Sequence, residues 1–155
     1  MSDEQTVTIQ EALDIGLKHH RSGDLPKAEA IYQQILQADP NQSAALHMLG
    51  VIAHQAEKND IAINLIEKAL AITPDYAEAH NNLGVVLQKQ GKLKSAVASY
   101  NNAVGISANY VEAHNNLGNS LRALGELDNA IVSYQKALAI NPRYVEAHYN
   151  LGNLF

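Results

Sequence analysis

Apolar and polar positions alternate along this chain with a helical beat. In Ala77 to Lys89, Ala79, Leu83 and Leu87 recur at intervals of four and share one face, while Glu78, Asn81, Asn82, Val85, Gln88 and Lys89 fall on another. Leu93, Ala96, Val97, Tyr100 and Val104 draw a second stripe of the same kind. Gly91 lies between the two stripes, as Gly23 and Gly125 lie between theirs, where a residue just past a helix end needs positive φ. Pro40, Pro74 and Pro142 close the second stripe of their pairs. Thr8 and Glu11 have the S/T-x-x-E spacing of a capping box opening the first helix.

The pattern repeats. Gly16, Gly50, Gly84, Gly118 and Gly152 stand 34 residues apart, and so do Ala28, Ala62, Ala96 and Ala130. Tyr32, Tyr100 and Tyr134 keep the interval with Ile66 in the remaining place, and all three tyrosines fall on apolar stripes. A fixed period of this length predicts stacked units that cannot bury their apolar faces singly. The fold class expected is therefore all-α: a tail over 1–8, then one array over 9–155. Its repeats are 9–42, 43–76, 77–110 and 111–144, with a half repeat over 145–155 and nine helices in all. Glycines inside helices cost about 1 kcal/mol relative to alanine. Close approach of a neighbouring helix is the expected offset. Two departures predict local weakness: Glu57 takes the turn-glycine position in the second repeat, and Gly105 with Ala108 should loosen the end of the third repeat's second helix.

Composition removes several classes of function. The chain has 155 residues, 46% of them apolar, and no cysteine, so disulfides and thiolate metal sites are impossible. No apolar run approaches the ~18 residues of a membrane span. The start "MSDEQTVTIQ" is acidic where a signal peptide is basic, and a cytoplasmic location is expected. Net charge is -5 and the largest basic group is Lys89, Lys92 and Lys94, so neither nucleic acid nor an anionic membrane is expected as partner. His80, His114 and His148 lie a repeat apart and cannot share one metal ion, whose ligands all sit ~2 Å from it. They are expected to fill space between paired helices. "GVVLQKQGKL" lacks the spacing of a phosphate loop, and no nucleophile with its base converges anywhere. No cofactor, no metal and no catalysis are expected.

The residues in "NNLG" with "SAVASYNNAV", and in "NNLG" with "NAIVSYQKALAINP", resemble the tetratricopeptide repeat over nearly the whole chain. The resemblance implies a right-handed superhelix of helix-turn-helix units whose first helices line a concave groove. Asn82, Asn116 and Asn150 then face that groove at one equivalent position, with Asn81, Asn115 and the substituting Tyr149 at another. "AHNNLG" is similar to the repeat region of O-linked N-acetylglucosamine transferase and of bacterial proteins with such repeats, where an asparagine ladder grips extended polypeptide. One amide carries an acceptor and two donors, which suits a peptide backbone without reading its side chains. Adjacent repeats place equivalent residues roughly 10 Å apart. That interval spans about three residues of extended chain.

Glu78, Glu112 and Glu146 edge the column and Asn119 and Asn153 extend its floor, so neutral or basic segments are favoured. Repeats one and two offer a more apolar, histidine-rich wall of His20, Arg21, His47, Met48, Val51 and His54. The function expected is a non-catalytic protein-interaction module for an extended segment, forming the N-terminal part of a larger protein. The alternative is a scaffold acting through homo-oligomers, because "YNLGNLF" ends on Leu151, Leu154 and Phe155.

Overall fold

A computed structural model describes residues 7–155. The tail expected over 1–8 lies outside the described residues except for Val7 and Thr8. Among the described residues are nine helices and no strand: α1 Ile9–Arg21, α2 Leu25–Ala38, α3 Ser43–Gln55, α4 Asn59–Ile72, α5 Ala77–Lys89, α6 Leu93–Ile106, α7 Val111–Ala123, α8 Leu127–Ile140 and α9 Val145–Gly152. The all-α solenoid class follows: each full repeat is a packed pair of helices, and within each compact unit successive repeats pack on one another. The capping box forms at the head of α1. Thr8 Oγ1 accepts from the Glu11 N–H at 3.2 Å, and Glu11 Oε2 accepts from the Thr8 N–H at 2.8 Å. Those bonds to the charged form hold the Glu11 carboxyl below its ordinary range.

The helices group into two compact units, one running to Thr73 and one over Pro74–Phe155. A single array was expected over 9–155. In a repeat protein each unit touches only its neighbours, so a compact body ends naturally between two repeats. In the first unit α1 and α2 pair, α3 and α4 pair, and α2 packs on α3. Its core holds Ala28, Tyr32, Ile35, Ala45, Leu49 and Ile52, with Leu13 and Met48 packed against them. In the second unit α6 packs against α5 and α7, α8 against α7 and α9, while α5, α7 and α9 touch in a row. Ala79, Leu83, Val86, Tyr100, Ala113, Leu117, Tyr134 and Ala137 fill the space between.

Four of the five period-34 glycines have a steric reason, while at Gly152 an added Cβ meets nothing within 4 Å. A Cβ added at Gly84 would lie 2.6 Å from the Tyr100 ring, and one at Gly118 would lie 2.5 Å from the Tyr134 ring. Each buried tyrosine therefore lies flat on the bare backbone of its partner helix. The turns repeat as well. Gly91 at φ +73° donates its N–H to Gln88 O at 2.9 Å, and Lys92 donates to Leu87 O at 2.9 Å, closing α5 in a Schellman-like loop.

Glu57 takes the same turn at φ +59°, a left-handed conformation that L side chains rarely adopt, in line with the strain expected there. The end of α6 has the same extent as its counterparts in the other repeats. It runs to Ile106 as α4 runs to Ile72 and α8 to Ile140, and Ser107 caps it by donating to Ala103 O at 2.9 Å. At Gly105 an added Cβ meets nothing within 4 Å, so the missing side chain costs no packing.

Candidate functional site

Ten of the residues expected along the column lie in the second unit on α5, α7 and α9, and Asn153 directly follows α9. They do not play one role. Asn82, Asn116 and Asn150 are half-buried at the surface of the row. Glu78, Glu112 and Glu146, one turn earlier on the same helices, are exposed. Asn81 and Asn115, which were expected to line the groove beside the column, are buried, at 0% and 4% exposure. The next repeat's first helix covers that position, because α5 touches α7 and α7 touches α9. Tyr149 holds the same place on α9 and is 69% exposed.

The buried and half-buried amides are bonded to each other. Asn116 Nδ2 donates to Asn81 Oδ1 at 3.2 Å, and Asn150 Nδ2 donates to Asn115 Oδ1 at 3.0 Å. Asn81 Nδ2 in turn points at Glu112 Oε1 at 3.5 Å. Each bond joins residues 35 or 31 apart, so each is a cross-link between successive repeats. Asn119, placed on the polar floor, accepts from the buried Tyr134 hydroxyl at 2.8 Å. Its oxygen is thereby engaged by the repeat's own core.

Tyrosines at the head of each first helix were overlooked in the sequence. Tyr76, Tyr110 and Tyr144 precede α5, α7 and α9 and keep the 34-residue interval, which was the signal available to find them. The Tyr110 phenol is pushed up to about 12, by burial first and then by the carboxylates of Glu112 and Glu78, while the Asn81 amide bonds to it. Tyr76 is raised by burial and by Glu78, and Tyr144 by burial, Glu146 and Glu112. Carboxylates of neighbouring repeats thus act on the same phenols, and the edge of the column is one acidic strip. In the first unit Asp24 forms ion pairs with Lys27 and His19.

The repeating histidines serve the turns. Nε2 of His80, His114 and His148 lies 2.8, 2.9 and 2.8 Å from the carbonyl oxygens of Pro74, Ala108 and Pro142, so each ring donates to the connection preceding its own helix. No group of three metal-ligating side chains comes together among the described residues. Of the wall expected in the first unit, His47 is 4% exposed and built into the interior, its pKa brought down to about 4 by burial. His20 pairs with Gln55 at 3.1 Å and His54 with Asn59 at 2.8 Å. Among the described residues no helix is long and apolar enough to cross a membrane.

Comparison with known proteins gives a consistent picture. A family model described as TPR repeat matches residues 52–91, 89–121 and 118–155. No curated protein matches the chain. Among solved structures, MamA is 28% identical, with 90% of this chain and 82% of that one covered at a TM-score of 0.81. YrrB, described as a TPR protein with an unusual peptide-binding site, is 25% identical, with 98% and 78% covered at 0.80. PilF of Pseudomonas aeruginosa, 21% identical over 94% of this chain and 67% of that one, shares the fold at a TM-score of 0.89.

Proposed function

The chain belongs to the tetratricopeptide repeat family, and from that premise we propose that its second unit binds an extended polypeptide segment across α5, α7 and α9 without catalysing any reaction. The observation that carries this reading is the column of half-buried amides at Asn82, Asn116 and Asn150. Half-burial limits their motion and leaves part of each side chain open to a ligand, which suits a backbone clamp. Glu78, Glu112 and Glu146 bias the occupant towards neutral or basic segments. Asn119 adds donors for backbone carbonyls, and Tyr149 offers an aromatic surface where the column ends. The likeness to YrrB, with its described peptide site, supports the same use of the fold. We infer that the module works in the cytoplasm.

Replacing Asn82, Asn116 and Asn150 together with Ala tests the proposal. Each lost bond is worth about 0.5–1.5 kcal/mol, so an extended probe peptide captured by the wild-type chain should bind at least tenfold more weakly. Helical circular dichroism should stay unchanged. Equal affinity for both proteins refutes the clamp.

A second reading rests on α9. Tyr149 and the 92% exposed Phe155 present apolar surface that self-association would cover. Sedimentation of wild-type chain against a variant with Leu154→Ser and Phe155→Ser decides it. A concentration-dependent mass that the variant loses supports assembly, and a monomer at every concentration excludes it.

A further inference from the structure

A clamp made of asparagines has an orientational problem. A terminal amide swaps its donor and acceptor ends by a half-turn, and a ladder of freely turning amides presents an undefined pattern to any ligand. The second unit contains the device that removes this freedom. A carboxylate is acceptor-only, so Glu112 Oε1 obliges Asn81 to turn its Nδ2 outward to it, at 3.5 Å. The Tyr110 phenol lies against the same Asn81 amide. Asn81 Oδ1 is thereby aimed the other way, where it meets a group 3.2 Å away that can only be the donor end of Asn116. Asn116 must then hold its own Oδ1 on the opposite side, away from Asn81. Complete burial of Asn81 prevents water from substituting for either partner. The second cross-link repeats the sense: Asn150 Nδ2 donates to Asn115 Oδ1 at 3.0 Å with Asn115 buried.

We propose that Asn81 is a positioning residue which, with Glu112, locks the amide of Asn116 in one orientation, so that Asn116 presents an acceptor oxygen to an N–H group of the bound segment. This rests on the clamp reading above and adds to it the polarity of the clamp. The ligand chemistry it selects is an extended segment with unpaired backbone N–H groups, which a proline at the contacted position lacks.

The test needs a readout that stability alone does not move. In the ¹⁵N-labelled full chain, the Asn116 side-chain amide should be as rigid as the backbone. Asn81→Leu should lower its order parameter to that of the exposed Asn101 while leaving Asn150 unchanged. The same variant should weaken a fluorescein-labelled, proline-free Ala/Ser/Lys probe peptide by about three- to tenfold, the effect of losing one oriented bond. Combining Asn81→Asp with Glu112→Gln exchanges donor and acceptor at the first contact but keeps an acceptor for Asn116, and should restore both readouts. If Asn81→Leu does not fold, Glu112→Gln alone gives the answer, since the new amide can face either way and Asn116 should show two exchanging signals. An Asn116 amide that stays rigid in these variants overturns the positioning role even if the triple alanine variant loses the peptide. Loss of order without any change on the triple alanine substitution keeps the lock and discards the clamp.

Discussion

The two units write different chemistry into the same seam. Position for position, Asn81 and Asn116 of the second unit correspond to Leu13 and Met48 of the first, again 35 residues apart. Leu13 and Met48 pack against the hydrocarbon core, whereas Asn81 and Asn116 are hydrogen-bonded to each other. A seam between repeats tolerates either solution, because an apolar pair and a satisfied polar pair both leave nothing orphaned. Only the polar solution leaves further hydrogen-bonding atoms at the surface. On the proposed clamp, binding capacity follows from which pair fills the seam, and the repeat fold accommodates both pairs.

The largest difference is exposed by acid. The buried slot held by Asn81 and Asn115 is His47 in the first unit, with its pKa depressed from 6.5 to about 4 by burial. The folded state resists protonation that the unfolded chain accepts. Stability is thus fully present above pH 6.5 and is lost as pH falls from 6.5 to 4, by on the order of 3 kcal/mol. His47→Asn should flatten that part of a urea-midpoint against pH curve. A variant with the same slope as wild type would show that His47 does not carry the effect.

Glycine substitutions come next. Gly118→Ala drives a methyl to 2.5 Å from the Tyr134 ring, with other ring atoms at 2.7 and 2.9 Å, and overpacking of this kind costs about 1–3 kcal/mol. At Gly50 the obstacles are Ile66 Cγ1 at 2.6 Å, on a β-branched side chain that is stiff at χ1, and the Ala62 carbonyl oxygen at 3.2 Å. Gly50→Ala should lower the urea midpoint at least as much as Gly118→Ala does. A clearly smaller drop would mean that the isoleucine shifts more easily than the aromatic ring.

Transplanting the first unit's pair sharpens the comparison at smaller energy. Asn81→Leu with Asn116→Met should change stability by under about 1 kcal/mol, since both members of a polar pair are replaced at once. Peptide binding should still fall, separating function from folding in one variant.

Helix boundaries, turns and core were legible in the sequence because each depends on residue type at fixed spacing. The period marked Gly84 as a place where a neighbouring helix comes close, and the Tyr100 ring is what fills that approach. The site was legible only as a face. Asn81 and Asn82 are adjacent and chemically identical, yet α7 covers one and leaves the other at the surface. Spacing within one helix cannot report which side the following repeat will occupy, and the acidic partner of Asn81 is 31 residues away on another helix. The histidines show the same limit. Their interval excluded a shared metal, while their bonds to carbonyls six residues back depend on a turn geometry that intervals do not encode.

The smallest expected effect lies in the turn the two units share. Glu57 adopts φ +59° where Gly91 has +73° and Gly125 has +81°. The left-handed conformation costs an L residue about 1–2 kcal/mol. Glu57→Gly removes that strain but gives the unfolded chain back about 0.4–1 kcal/mol of conformational entropy. The net gain should be about 0.5 kcal/mol in a urea denaturation. Gly91→Ala, whose Cβ would meet open space at a glycine-like φ, should lose about the strain alone less the same entropy. Opposite signs for the two substitutions would show that the turn itself is one structure in both units and that only its occupant differs; equal signs would mean that the Glu57 side chain makes a compensating contact in the first unit.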